Sequence, residues 1–348
     1  MTALFIAGAL AMVISLIATR VTIRIFGRMG RGQPILGKED RGPEHEHKAG
    51  TPTMGGIAIL GSAVLAYLLT HLREGVVFSD QVLIMIVGIA ILAFLGFLDD
   101  YVKVRRARNR GIFWKTKGWL VLGVSAAIAL WLGLATNVKT TLSFTRWDYP
   151  GWELPLWLWV IWATVIIFAT THAVNVTDGL DGLAAGTSLF GFIAFTVIAF
   201  WGFRNPDIYE IVNPLDLAVL AVALAGACAG FLWWNAAPAR IFMGDVGALG
   251  IGASLGILAV TSNTQLLLPI IAGLQVMEIG SVALQMGTYR LSGRSRRLFK
   301  MSPIHHHFEL IGWPETTVII RFWVISGICV AAALALYYAD WLTAAGLR

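Results

Sequence analysis

The sequence predicts an all-α polytopic integral membrane protein: a bundle of about ten transmembrane helices, with both termini periplasmic and the active site cytoplasmic. Three observations carry that prediction: an apolar composition, ten apolar stretches of near-spanning length, and basic residues confined to alternate loops. Of 348 residues, 57% are hydrophobic and only 13% charged, whereas soluble domains carry about a quarter charged residues. A water-soluble fold cannot hide so much apolar surface, but a bilayer can. With no internal repeat, low-complexity segment or soluble appendage, residues 1–348 read as a single transmembrane domain.

A spanning helix needs about 20 mostly apolar residues. The candidates are 2–19, 53–71, 82–98, 118–135, 155–173, 183–202, 215–235, 247–262, 265–286 and 318–339. The first has no basic residue before it, and Arg20, Arg24, Arg28 and Arg31 follow it. A secretory signal has the opposite polarity, so this stretch is expected to be a spanning helix with its N-terminus outside. Of the 26 Lys and Arg, twenty fall in the segments 20–52, 99–117, 174–182, 236–246 and 287–317, and five in the opposite loops and termini. That bias assigns the first set to the cytoplasm. Trp147, Trp152, Trp157, Trp159 and Trp162 cluster at an outer boundary, where interfacial aromatics collect. The formal charge of +6 then reports topology and contact with anionic lipid headgroups rather than nucleic-acid binding. Cys228 and Cys329 each lie in an apolar run without metal-ligand spacing and read as buried or lipid-facing small residues.

The unusual polar clusters all map to the cytoplasmic side. They are His45-Glu46-His47-Lys48 with Thr51-Pro52-Thr53; Asp99-Asp100 with Lys103; Asn175 through Asp178 and Asp181 to Gly182; Asn235; Phe242 to Asp245; and Pro303 through His305, His306 and His307 to Phe308. Asp99 and Asp100 are read at the end of an inward-running helix, where they oppose the macrodipole and repel each other. A divalent cation, Lys103, or both must offset this. Asp178 and Asp181 share one face if helical, at the entrance to the next helix. Asp245 precedes a helix and would serve as its cap if it had no other role. Phe242 is a ring in a polar loop on which a base can stack.

Hard divalent cations prefer carboxylate oxygens, and Mg²⁺ takes one or two carboxylates plus substrate phosphates. Asp99, Asp100 and Asp245 offer that set, while Lys48, Lys103, Lys115 and Lys117 can neutralise a pyrophosphate. The combination points to phosphoryl transfer more than to ion transport. Three consecutive histidines on a helix cannot all reach one metal, so phosphate binding or proton handling in a loop is the expectation for 305–307. Glu278 lies inside an apolar segment. It is expected to be structural, with a polar partner, because an unpaired intramembrane carboxylate is costly.

Together these segments resemble the phospho-N-acetylmuramoyl-pentapeptide-transferase family, within the polyprenyl-phosphate N-acetylhexosamine-1-phosphate transferase superfamily. The superfamily features are Asp99-Asp100 with Lys103, the segment Asn175 to Asp181, and the Asp245 region. The narrower family is marked by Lys48 to Gly56 (KAGTPTMGG) and Ser302 to Glu309 (SPIHHHFE). The resemblance covers nearly the whole chain. It implies ten transmembrane helices in a bacterial inner membrane, a cytoplasmic site, a Mg²⁺ requirement and a homodimer. The implied reaction moves phospho-N-acetylmuramoyl-pentapeptide from UDP to undecaprenyl phosphate, giving lipid I and UMP. The resemblance makes Asp245 the metal ligand, with Asp99 and Asp100 catalytic carboxylates near it and Asp99 the base for the lipid phosphate. His305 joins them as a catalytic candidate. Lys48, Asp178, Asp181 and Phe242 would bind the uridine part. Asn175, Asn235, Lys103, His306 and His307 would line the pyrophosphate and sugar region, with Thr53 and Lys115 as further substrate contacts.

That chemistry exchanges one pyrophosphate linkage for another, so it needs alignment and charge neutralisation rather than an energy source. Direct attack and a covalent enzyme intermediate both stay open; the lipid phosphate, already anionic at neutral pH, favours direct attack. Two other readings compete. A sister transferase would move N-acetylglucosamine 1-phosphate; the triple histidine argues against it, and a donor swap decides. An ion-coupled transporter would place its carboxylates near the midplane, often in repeated halves, whereas these sit at the membrane edge.

Overall fold

The computed structural model describes residues 1–28, 48, 50–72, 77–106 and 111–347. His45, Glu46 and His47 of the first polar cluster lie outside the described residues. Most of the described residues are helical. In order come α1 (Thr2–Arg28), α2 (Gly56–Thr70), α3 (Asp80–Arg106), α4 (Trp114–Ala135), a hairpin of β1 (Thr141–Arg146) and β2 (Tyr149–Glu153), α5 (Leu156–Thr177) and α6 (Leu183–Arg204). The short α7 (Pro206–Tyr209), α8 (Pro214–Asn235), α9 (Gly244–Thr261), the short α10 (Leu268–Ile271), α11 (Gly273–Leu291), α12 (Ile304–Leu310) and α13 (Glu315–Ala344) complete the order.

Among the described residues, eight helices are long and apolar enough to cross a membrane: α1, α3, α4, α5, α6, α8, α9 and α13. The two remaining sequence candidates differ for physical reasons. The stretch 53–71 loses its first residues to an extended loop, leaving α2 with 15 residues, about 22 Å of helix at 1.5 Å per residue. The stretch 265–286 is broken at Ala272, between α10 and α11, and α11 carries the buried Gln275, Glu278 and Gln285, which lower its hydropathy. The other boundaries run longer than hydropathy suggests. α3 continues seven residues past Asp99 to Arg106 and α1 continues to Arg28, because a helix need not end where its apolar stripe does. The β1–β2 hairpin is antiparallel and was not foreseen. It is tied to α13 by Thr145 and Arg146, both bonded to Asp340 Oδ2 at 2.7 and 2.9 Å.

The bundle is organised around α9, every residue of which from Asp245 to Thr261 is buried. Close approach to it is licensed by missing side chains. A Cβ at Gly56 would fall on the Gly247 backbone, and one at Gly96 on the Asp245 carbonyl. Small residues serve this purpose in bilayer packing, where helices gain nothing from hydrophobic exclusion and rely on contact. α1 lies along α8, where Ser15 Oγ donates to the Ala227 carbonyl at 2.7 Å and Trp234 Nε1 to the Leu16 carbonyl at 2.9 Å. Cys228 is buried, Cys329 half-buried, and both are free thiols.

One polar cluster corrects the one-sided expectation. At the end of the bundle away from Asp245, Asp216 in the first turn of α8 accepts from His71 Nε2 at 2.9 Å, Ser79 N at 2.9 Å, Ser79 Oγ at 2.5 Å and Tyr67 Oη at 3.2 Å. It joins α2, α3 and α8, and its four donors satisfy the carboxylate internally.

The packing predicts an asymmetry between two glycines. Gly96→Val should lower stability by about 1–3 kcal/mol through overpacking, seen as a lower thermal midpoint in detergent. Gly61→Ala, which meets nothing within 4 Å, should hold or raise it.

Candidate active site

Asp99, Asp100 and Asp245 converge at one end of the bundle, each with a carboxylate oxygen within 4.8 Å of the others, and all three are buried. The glycine contact explains the convergence. Gly96 lies one turn before Asp99 and Asp100, so its backbone-to-backbone approach to Asp245 brings the pair beside the first turn of α9. Asp99 and Asp100 therefore occupy the last two turns of α3 rather than its end. Lys103, four residues after Asp99, reaches its Oδ2 at 2.7 Å and Asp100 Oδ1 at 3.6 Å, an i,i+4 arrangement. Asp99 Oδ1 also accepts from Ile112 N at 2.7 Å.

Asp245 is not merely a helix cap. It makes no cap hydrogen bond, and Met243 holds the N-cap position. Its Oδ2 faces Lys103 Nζ at 2.5 Å and Lys117 Nζ at 2.7 Å, and its Oδ1 accepts from Asn175 Nδ2 at 2.5 Å. Val246 N donates to Asp100 Oδ2 at 3.3 Å, so the positive end of α9 faces the carboxylates, as its dipole favours. Thr53 is buried beside Gly244, and its Oγ1 has no partner among the described residues. The segment bearing it is stitched to the α8–α9 loop by backbone bonds from Phe242 N to Pro52 O (2.8 Å), Gly55 N to Phe242 O and Gly56 N to Met243 O (both 2.9 Å). Phe242 is thereby fixed, half-buried, at the edge of the site. Asn235 is buried and donates to the Ile241 carbonyl at 2.8 Å, which shapes that loop from below.

Asp178 and Asp181 do not share a helical face. Asp178 ends α5 with non-helical φ and ψ, and the turn closes at Gly182 with φ of +77° before α6 begins. The two carboxylates consequently part. Burial, with Asp245 and Asp100 adding, pushes Asp178 up to about 8. Asp181 turns the other way, accepting from Lys48 Nζ at 2.8 Å and Ala239 N at 2.9 Å. Lys48 also reaches Glu315 Oε1 at 2.5 Å, and Asp181 N donates to the same oxygen at 3.1 Å.

The three histidines sit on the short helix α12 rather than in a loop, and they diverge. His305 is fully buried against Glu278, Nδ1 to Oε2 at 3.0 Å. His306 Nδ1 faces Glu309 Oε2 at 2.8 Å, and His307 Nδ1 accepts from Lys300 N at 3.1 Å. No bond joins any of them to the three carboxylates among the described contacts. Lys115 is not part of the cluster either: it is exposed and lies over the Trp114 ring, 5.4 Å from its centroid. Lys117 takes that place. Residues two apart on a helix point about 200° from each other, so only one of the pair can face inward. Glu315 was missed, because an acid at a helix start reads as a dipole partner.

Comparison with known proteins decides the family. Residues 82–263 match glycosyl transferase family 4, and residues 48–60 match signature 1 of phospho-N-acetylmuramoyl-pentapeptide-transferase. The phospho-N-acetylmuramoyl-pentapeptide-transferase of Frankia casuarinae is 43% identical over 99% of this chain and 100% of its own length. That of a Nocardioides species is 42% identical over 98% and 99%, and that of Mycolicibacterium paratuberculosis 43% over 99% and 100%. The chain belongs to the phospho-N-acetylmuramoyl-pentapeptide-transferase family. The family signature spans the segment stitched to the Phe242 loop and includes Lys48 and Thr53. The wider match includes Asp99, Asp100, Lys103, Asn175, Asp178, Asp181 and Asp245.

The raised Asp178 yields a pH prediction. Near pH 7 it therefore favours its protonated form. A divalent cation that cancelled charge on Asp245 and Asp100 would lower its pKa, so cation binding would release proton near pH 7 and less above pH 9, where the group is already mostly ionised. Calorimetry in buffers of different ionisation enthalpy should show proton release at pH 7 that Asp178→Asn reduces.

Proposed function

We propose that this site transfers phospho-N-acetylmuramoyl-pentapeptide from its UDP carrier to undecaprenyl phosphate, giving lipid I and UMP. One observation carries the mechanism: three buried carboxylates and two lysines gathered at the end of an apolar bundle. An oxygen of the lipid phosphate attacks the sugar-bearing phosphorus of the donor. The bond from that phosphorus to the bridging oxygen breaks, and UMP leaves with the oxygen. The attacking phosphate is already anionic, so the step needs alignment and neutralisation more than a base. Asp99 Oδ1 accepts from Ile112 N and its Oδ2 faces Lys103 and Lys117, which fixes this carboxylate beside Asp245.

Lys103 and Lys117 draw the negative phosphates toward Asp245 and steady the charge of the departing UMP. The all-oxygen donor set, together with the unpartnered Thr53 hydroxyl beside Asp100, suits Mg²⁺; Asp245 is its proposed ligand, with Asp99 and Asp100 beside it. When bound, Mg²⁺ supplies electrostatic stabilisation of the pyrophosphate. Asn175 orients Asp245. Phe242, Asp178, Asp181 and Lys48 border the nucleotide side.

An apolar cavity of about 180 Å³ runs between α5 and α10–α11, lined by Trp162, Ile166, Val174, Pro269, Ala272 and Val276 among others. Val174 adjoins Asn175, the partner of Asp245, so an isoprenoid chain lying there delivers its phosphate to the carboxylates. The full reading is one transferase domain in the bacterial inner membrane. α2 and α11 complete ten spans, the basic loops keep the site cytoplasmic, and the family resemblance adds a homodimer.

In detergent, with undecaprenyl phosphate and Mg²⁺, UMP should appear from the muramoyl-pentapeptide donor and not from UDP-N-acetylglucosamine. The reverse preference would make this the sister transferase. Asp245→Asn and Lys117→Ala should each lower kcat by about 10²-fold or more, a chelator should abolish turnover until Mg²⁺ is returned, and Lys115→Ala should stay within about threefold of wild type.

The cavity gives a separate prediction. Ala272→Trp should raise KM for the lipid acceptor about tenfold, at about 1.4 kcal/mol per decade, with KM for the nucleotide donor unchanged.

A further inference from the structure

We propose that Glu278 is a positioning residue of the nucleotide-donor site, acting through His305 on the Asp178–Gly179 turn; this rests on the transferase reading above. Glu278 lies within α11, away from the carboxylate cluster, and both it and His305 are fully buried. The carboxylate can only accept, so it fixes the proton of His305 on Nδ1 and with it the orientation of the ring. Turning the imidazole over would forfeit that bond between two fully buried groups.

The far edge of the ring bears on the turn. A Cβ at Gly179 would come within 2.3 Å of His305 Nε2, so the imidazole packs directly against the glycine backbone. His306 backs the ring, with centroids 4.2 Å apart. On its other side the turn is held by Glu315 and Ala239, through the Asp181 amide and carboxylate. The segment carrying Asp178 and Asp181 is thus gripped between α13 and the His305 ring.

Two further facts separate positioning from chemistry. His305 has no exposed surface through which to touch substrate, and its described bond is to Glu278, not to the reacting cluster. In addition, His305 Nε2 and Glu278 Oε1 are both buried without a hydrogen-bond partner among the described residues. A membrane helix tolerates such polar atoms poorly, and a better-packed apolar pair would fill the space if filling it were the only task. The pair instead supplies a ring of fixed orientation and flat profile beneath a glycine.

The test is steady-state kinetics of the full-length protein in detergent, varying donor and acceptor separately, with UMP binding measured by calorimetry. Glu278→Met removes the acceptor at similar length. It should raise donor KM and weaken UMP binding about tenfold, the value of one lost hydrogen bond, while kcat and acceptor KM stay within about twofold. Glu278→Gln, which keeps an accepting oxygen, should restore donor KM to within about threefold of wild type. Equal rises in both KM values, a fall in kcat alone, or a lost limb in the pH profile of kcat would overturn the proposal. If Glu278→Met fails to fold, Gly179→Ala reads the same contact from the other side: raised donor KM supports the proposal and unchanged donor KM rejects it. Wild-type protein that binds UMP without releasing it from any donor would overturn the transferase reading, and the UMP affinity of Glu278→Met would still decide the positioning claim.

Discussion

Three carboxylates within 4.8 Å of one another cannot remain ionised inside an apolar bundle unless positive charge is delivered to the same spot. Much of this end of the molecule answers that constraint. Lys103 comes from the helix that carries Asp99 and Asp100, and Lys117 from the helix after it. The first turn of α9 adds its dipole beneath Asp245. The arrangement offers concentrated negative charge to a hard cation and two ammonium groups to phosphates. A substrate that brings phosphates and a divalent cation together supplies what each half lacks.

Charge alone does not gather these residues; contact does. Asp99 and Asp245 are 146 positions apart in sequence, and what joins them is the absence of side chains at Gly96 and Gly56 where α3 and α2 meet α9. In a bilayer, lipid tails are as apolar as leucine, so helices associate through close packing and hydrogen bonds. The central helix is consequently both the most buried element and the bearer of the central carboxylate. A mutation in this seam changes the spacing of the charges even where no charged residue is touched.

The sequence makes the fold class and the carboxylate set legible for the same reason: both are signalled by chemistry that is rare in its surroundings. Long apolar runs have few uses outside a membrane, and adjacent aspartates at a membrane edge need compensation wherever they occur. Less legible is what depends on exact direction. Asp178 and Asp181 look like one helical face, yet the chain leaves the helix at Asp178 and the carboxylates part. His305, His306 and His307 look like loop residues for phosphate binding or proton handling, yet they sit on a helix, where successive positions differ by about 100°, and each finds a different partner. Lys115 and Lys117 are chemically alike, and only the phase of α4 decides between them. The hairpin after α4 and the Asp216 cluster were missed because their polar residues look like ordinary loop and helix-end residues until tertiary contacts are known.

Direction also revises the role of Lys48. Read as sequence, it is one of four cations able to neutralise a pyrophosphate. In the fold its ammonium is committed to two carboxylates, Asp181 and Glu315, and an ammonium has three donors. One donor remains, enough to meet a single acceptor on a base, while the charge is already more than matched by its partners. Lys103 and Lys117 are engaged in the same way, but by the Asp99, Asp100 and Asp245 carboxylates. The lysines thus divide between two places: Lys48 beside Asp181 and Glu315, and Lys103 and Lys117 in the carboxylate cluster. The turn from Asp178 to Gly182 lies between those places. In the proposed transfer, the backbone conformation of this turn couples the nucleotide side of the site to the carboxylate cluster. Contacts to the turn from α12 and α13, with α11 behind α12, would then set the alignment on which phosphoryl transfer depends.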